Sequence, residues 1–204
     1  MDLAQELGLE VRISREAIEA ANDFRLMCLT EANAPWITVN VPPQQIGEMF
    51  RHFAETPQKL SGLTLEITET GAVDDVEQAC QLLGAARAAG AKVFLDDFGV
   101  GQSSFSLLTE LPLDVVKIDA AFVRHLTSSE SARAVASAIV ELGRRMDLMV
   151  IAEGIETWEQ ADLLQGLGVH LAQGFLFSAA VPFSQFEAVL NAGKSLSPTR
   201  QAAR

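Results

Sequence analysis

Residues 93–97 read Val-Phe-Leu-Asp-Asp, three apolar residues ending in two adjacent carboxylates. A run this short and apolar suits a strand buried on both faces better than a helix, and it carries charge at its tip. The pattern recurs on both sides. Trp36 to Val39 precedes Asn40, Leu63 to Leu65 precedes Glu66, and Val115 and Val116 precede Lys117. Leu148 to Ala152 precedes Glu153, and His170 to Ala172 precedes Gln173. The runs read as continuously apolar rather than alternating, and roughly 20–30 residues separate them, enough for crossover helices. Strand, polar tip, helix and strand again is the rhythm of a parallel α/β protein with its chemistry on one rim. Six such strands are found, where a closed barrel of this type has eight.

The intervening segments predict helices at 2–8, 14–31, 43–56, 74–89, 103–109, 130–146, 158–167 and 184–192. Thr127 with Glu130, Thr157 with Gln160 and Ser184 with Glu187 have capping-box spacing, and Asp74 with Glu77 is an Asp-headed variant. In the helix from Glu130, Val135, Ile139, Leu142 and Met146 recur at helical spacing and are expected to face the sheet. Residues 1–192 are read as one domain and 193–204, rich in Ser, Pro, Lys and Arg, as a flexible tail.

Composition narrows the function. The 204 residues are 49% hydrophobic and 21% charged, with a net charge of −12. This is a globular composition, and no basic patch interleaved with aromatics offers a nucleic-acid surface, so duplex nucleic acid is excluded as a partner. No apolar stretch reaches the length of a membrane helix and no leader-like segment opens the chain, so a cytoplasmic location without membrane contact is expected. Cys28 and Cys80 fall in unrelated helices and lack a recognisable base partner, which fits a reducing compartment. His52, His125 and His170 have no ligand spacing and read as structural or surface residues.

On a barrel rim the strand ends converge, bringing together Asn40, Glu66, Asp96, Asp97, Lys117, Asp119, Glu153, Glu156 and Gln173. So many carboxylates repel unless a cation joins them. Hard oxygen donors without histidine favour Mg²⁺ or Mn²⁺, with Ca²⁺ also compatible, over Zn²⁺. The adjacent Asp96 and Asp97 can serve two ions about 3.5–4 Å apart, an arrangement suited to in-line displacement at phosphorus. Lys117 can orient water or neutralise a phosphate oxygen, and Glu153 can be a ligand or a general base. Enolate chemistry also uses acidic rims with a lysine, although no second lysine base is visible.

Six strings are specific: VNV at 39–41, LEITE at 65–69, LDDFGVGQSS at 95–104, LPLDVVKID at 111–119, AEGIET at 152–157 and QGFLFS at 173–178. In this order they resemble the EAL-domain family of bacterial cyclic di-GMP phosphodiesterases, over about residues 2–190. The resemblance implies a TIM-type barrel that hydrolyses cyclic di-GMP to linear pGpG with two Mg²⁺ or Mn²⁺ ions, Ca²⁺ supporting binding without turnover. By position, Asn40, Glu66 and Asp96 look like metal ligands, and Asp97 is similar to the residue serving the second ion. Lys117 looks like the lysine that contacts the attacking water, and Glu153 like the acid on metal or base duty. Glu156 and Gln173 look like ligand-contacting or site-organising positions, and Asp119 is grouped with them. Glu69 resembles the acid that anchors the glycine-containing loop.

Three departures accompany the resemblance. The name-giving Glu-Ala-Leu, whose glutamate is a metal ligand in the family, is not in this sequence. Met1 to Leu9 resembles the helix after that motif, which agrees with a count of six strands. The loop usually written DDFGTGYSS reads DDFGVGQSS, so Val100 and Gln102 replace a threonine and a tyrosine where the family makes site and dimer contacts. An open barrel also exposes sheet edges, so pairing with a second copy or a complementing segment is expected. The alternative to hydrolysis is an EAL-like domain that binds cyclic di-GMP or a protein partner without turnover.

Overall fold

The computed structural model describes residues 10–28, 36–42, 45–53, 56–68, 76–99, 104–182, 185, 186 and 188. Its strands are β1 (Ile37–Asn40), β2 (Leu63–Thr68), β3 (Lys92–Phe98), β4 (Val115–Ile118), β5 (Met149–Ala152) and β6 (Leu171–Ala172). They form one all-parallel sheet in sequence order, curled as a half-barrel. Its helices are α1 (Glu10–Cys28), α2 (Ile46–Phe53), α3 (Val76–Ala88), α4 (Ser104–Glu110), α5 (Ala120–Arg124), α6 (Glu130–Arg145) and α7 (Trp158–Leu167). The parallel α/β expectation therefore holds, with six strands among the described residues. The short helix α5 and a 3-10 turn at Pro57–Leu60 were not anticipated from periodicity, each being too brief to show one.

The register explains which side chains meet. Glu66 lies beside Asn40 and Phe94, Thr68 beside Asp96, and Lys117 beside Ile151. Side chains alternate between sheet faces, so one face carries Leu63, Leu65, Ile67, Val93, Leu95, Val116, Ile118, Val150 and Ala152. These join helix residues such as Ile18, Leu83, Ile139 and Leu164 in the main core. The opposite, concave face carries Thr64, Glu66, Asp96 and Lys117 above a smaller apolar cluster of Phe94, Val115 and Ile151. The expectation of continuous apolar strands is corrected here. β2, Leu-Thr-Leu-Glu-Ile-Thr, alternates strictly, and Thr64 and Glu66 are buried because the sheet curls around them. Thr64, Glu66, Asp96 and Lys117 are thus inward-facing members of the strands, with Glu66 two positions before the end of β2, whereas Asn40 ends β1 and Glu153 and Gln173 directly follow β5 and β6 as expected.

Two helix readings also change. The cap of α6 is Ser129, whose hydroxyl accepts from Ala132 N–H, rather than Thr127. Backbone bonds from Ser128 and Ser129 to His125 extend the preceding turn and delay the helix. On α6 the buried residues are Ala132, Ala136, Ile139, Val140 and Gly143, whereas Val135 is exposed and Leu142 and Met146 pack at the margin. Small residues let this helix lie close to the sheet, rotating its buried face away from Val135. The Thr157–Gln160 capping box is present as expected. Asp74, Ser184 and Glu187 lie outside the described residues, as do the helix expected at 2–8 and the 193–204 tail; of the helix expected at 184–192 only 185, 186 and 188 are described.

Asp114 fixes the start of β4. Its carboxylate accepts from Val93 N–H at 2.9 Å and takes Arg87 of α3 at 2.6 and 3.1 Å. Asp114→Ala leaves the Val93 amide unpaired and is expected to cost about 1–3 kcal/mol in urea unfolding. An unchanged midpoint would contradict this role.

Candidate active site

Lys117 is the hub of the concave face. Its side chain is 4% exposed, and Nζ stands 2.7 Å from Glu66 Oε1 and 3.1 Å from Asp96 Oδ1. It also contacts Glu153 Oε1. Four strands or strand ends, β2, β3, β4 and β5, therefore meet at one ammonium. Glu153 is placed by its backbone N–H, which donates to Ile118 O at 3.1 Å, and by Gly154, whose φ is 67°. An added Cβ at Gly154 would lie 2.5 Å from Ala120 Cβ, so the turn after Glu153 admits only glycine without rearrangement.

Asp96 and Asp97 owe their joint presentation to a break in regularity. Neighbours on a straight strand point to opposite faces. The β3–β4 register shifts between Leu95 and Phe98, and Asp97 has a φ of 56°. This irregularity re-aims a side chain, a common use of bulges beside active sites. Asp97 thereby hydrogen bonds with Asp119, which also caps α5 by accepting from Ala121 N–H at 2.7 Å. Asp96 Oδ1 accepts from the Asp97 N–H at 3.0 Å.

The electrostatics follow from crowding. Burial raises the Glu66 carboxyl above its usual range despite Lys117, with Asp96 and Asp97 adding repulsion. Glu153 is raised for the same reason, with Asp96 and Glu66 as the repelling neighbours. Asp97 is pushed up to about 6 by burial, by its hydrogen bond with Asp119 and by the charges of Asp96, Asp119 and Glu153. For Lys117, burial favours the neutral amine, but hydrogen bonds to Glu153 and Glu66 outweigh it and raise the pKa.

These shifts fix the sign of a pH effect. A carboxyl raised on folding adds stability below its unfolded pKa and loses it as pH rises through the folded value. In chelator, Asp97 is expected to lower the melting temperature as pH rises from about 4 to about 6, with Glu66 and Glu153 acting in the same direction. Asp97→Asn should flatten that slope in thermal melts. A wild-type slope retained in the variant would contradict the assignment.

Other expected site residues are placed less centrally. Asn40 is exposed at the end of β1, beside Glu66 in register. Glu156 is exposed, and its backbone N–H donates to Gln160 Oε1 at 2.8 Å. Gln173 is exposed and anchored through its backbone, donating to Ala152 O at 2.8 Å and accepting from Ile155 N–H at 3.1 Å. The carboxylates paired with Lys117 are those of Glu66, Asp96 and Glu153, and not that of Glu156. Glu69, Val100 and Gln102 lie outside the described residues. Gly154, which seats Glu153, has a single sequence signal, a glycine directly after a strand-end acid.

The donor set fits hard divalent ions: clustered carboxylate oxygens whose mutual repulsion is only partly relieved by one ammonium. Among the described residues, no three His, Cys, Asp or Glu side chains stand in a metal-holding group. Three carboxylates close on Lys117 instead.

The EAL domain family model matches residues 1–180. The chain is 34% identical over 196 residues to the bifunctional diguanylate cyclase/cyclic di-GMP phosphodiesterase MucR of Pseudomonas aeruginosa, covering 91% of this chain and 28% of that protein. It spans 28–37% of the length of the first curated relatives it matches. A structure of the MucR phosphodiesterase in complex with c-di-GMP superposes with a TM-score of 0.76 at 32% identity, over 90% of this chain and 77% of that one. The manganese/cy-diGMP complex of Klebsiella pneumoniae BlrP1 superposes with a TM-score of 0.68 at 28% identity, over 88% of this chain and 46% of that one. A calcium/cy-diGMP complex of BlrP1 gives a TM-score of 0.69 at 28% identity, over 88% and 46%.

Proposed function

The chain belongs to the EAL domain family, and from that premise we propose that it is a cyclic di-GMP phosphodiesterase domain that cuts one phosphodiester bond to give linear pGpG. The observation that carries this reading is the meeting of Glu66, Asp96 and Glu153 at Lys117 on the concave face. An anionic ligand phosphate needs no basic surface here, because divalent ions held by these carboxylates would reverse the local field.

Asn40, Glu66, Asp96 and Glu153 would hold one Mg²⁺ or Mn²⁺, and Asp97 with Asp96 a second. When bound, such ions polarise phosphoryl oxygens and acidify a coordinated water. Lys117 orients the attacking water and offsets charge on the phosphate. In the alternative role to ligand, as general base, Glu153 takes up the proton that water loses as its oxygen bonds to phosphorus and the ribose oxygen departs. Asp119 steadies Asp97, and Glu156 and Gln173 contact the nucleotide from the rim. Homodimer contacts through the loop after Asp97, or completion of the sheet edge by another segment, belong to the same proposal.

Calorimetric titration of cyclic di-GMP into the domain with Ca²⁺ tests recognition apart from turnover. Saturable binding is expected, and it should weaken in Asp96→Asn. Absence of binding to the folded domain would contradict the reading. Binding followed by no hydrolysis in Mg²⁺ or Mn²⁺ would favour a sensor over an enzyme.

A further inference from the structure

Lys117 holds the acidic residues that the proposed divalent ions need. Its ammonium is nearly buried, lies within 3.1 Å of Glu66 and Asp96, and contacts Glu153. Those oxygens cannot be directed at the ammonium and at a divalent ion in the same place. The described residues contain no acid, histidine or cysteine trio spaced for a metal in this arrangement. Resting on the reading above, we propose that Lys117 is an internal competitor of the divalent cation: a tethered counter-ion that closes the carboxylate cluster and must release ligands before the metal loads.

The geometry gives the lysine two opposing effects. It stabilises the fold by neutralising carboxylates drawn from β2, β3 and the end of β5, which would otherwise be buried and mutually repelling. It opposes metal binding because the ion must displace an ammonium already hydrogen bonded to its ligands and must approach a positive charge. Removing the charge while keeping the aliphatic stem should separate these effects. A role confined to contacting substrate water predicts neither a loss of stability in chelator nor tighter metal binding.

The test uses Lys117→Met and, as a polar neutral alternative, Lys117→Gln, each compared with wild type by thermal melts in EDTA and by Mn²⁺ titration followed by electron paramagnetic resonance without nucleotide. Expected are a lower melting temperature in EDTA, a larger rise on adding Mn²⁺, and Mn²⁺ affinity tighter by about tenfold or more. Folding of both variants only with Mn²⁺ present is the same result in stronger form. Wild type that binds Mn²⁺ with variants that bind it equally or more weakly would overturn the competition while leaving the phosphodiesterase reading intact. No Mn²⁺ binding by any folded protein would overturn both, and variants that misfold whether or not Mn²⁺ is present would overturn the competition.

Discussion

Asp96→Asn should lower cyclic di-GMP turnover by on the order of 10²- to 10³-fold, the scale for removing one preorganised electrostatic group from an active site. The substitution keeps the shape of the side chain and an oxygen able to accept from the Asp97 N–H, a bond of 3.0 Å in the native arrangement. What it removes is charge, where Asp96 meets Lys117 and adds to the repulsion felt by Glu66, Asp97 and Glu153. The same change should therefore leave the melting temperature in chelator unchanged or raised. That pairing of outcomes distinguishes a functional carboxylate from a structural one, whose loss would lower both. Turnover at saturating Mn²⁺, read with melts in EDTA, checks the pair. Undiminished turnover would remove Asp96 from the chemistry.

Gly174→Ala is expected to destabilise the domain by about 3 kcal/mol, at the upper end for overpacking. A Cβ added there would lie 2.2 Å from Ile155 O and 2.3 Å from Ile155 N. Backbone cannot yield as a flexible side chain can. The clash would separate two segments joined by Ile155 N–H to Gln173 O and Leu176 N–H to Ile155 O, at 3.1 and 2.9 Å. Those segments carry Glu153, Glu156 and Gln173, so activity should fall with stability. Gly84→Ala is the control: it lies in α3 with nothing within 4 Å of an added Cβ, and should stabilise by about 0.5–1 kcal/mol. Urea unfolding of the two variants decides the matter, and equal midpoints would contradict the close-approach argument.

These residues also show where sequence reading succeeds and stops. The spacing of apolar runs located the six strands of the described residues, although only β2 to β5 are well buried and β1 and β6 are largely exposed. It did not show that Glu66 lies within β2, because the curl that buries Thr64 and Glu66 depends on the whole sheet. Asp96 and Asp97 were legible as a pair. The bulge that turns Asp97 toward Asp119 was not, since register shifts depend on the neighbouring strand. The cap of α6 moved from Thr127 to Ser129 because a run of Thr-Ser-Ser offers several hydroxyls and the preceding turn selects among them. Lys117 was expected near the carboxylates, but its contacts with residues from three other strands or strand ends belong to tertiary structure alone.

Hydrolysis of a phosphodiester at the concave-face cluster can be read directly. Its most direct test is incubation of cyclic di-GMP with Mn²⁺ and the domain, expressed with whatever residues its gene encodes on either side, with products separated by chromatography. Mn²⁺-dependent conversion to linear pGpG is expected, abolished by EDTA and slowed by on the order of 10²- to 10³-fold in Asp96→Asn. A folded, Mn²⁺-binding domain that leaves cyclic di-GMP intact would contradict it.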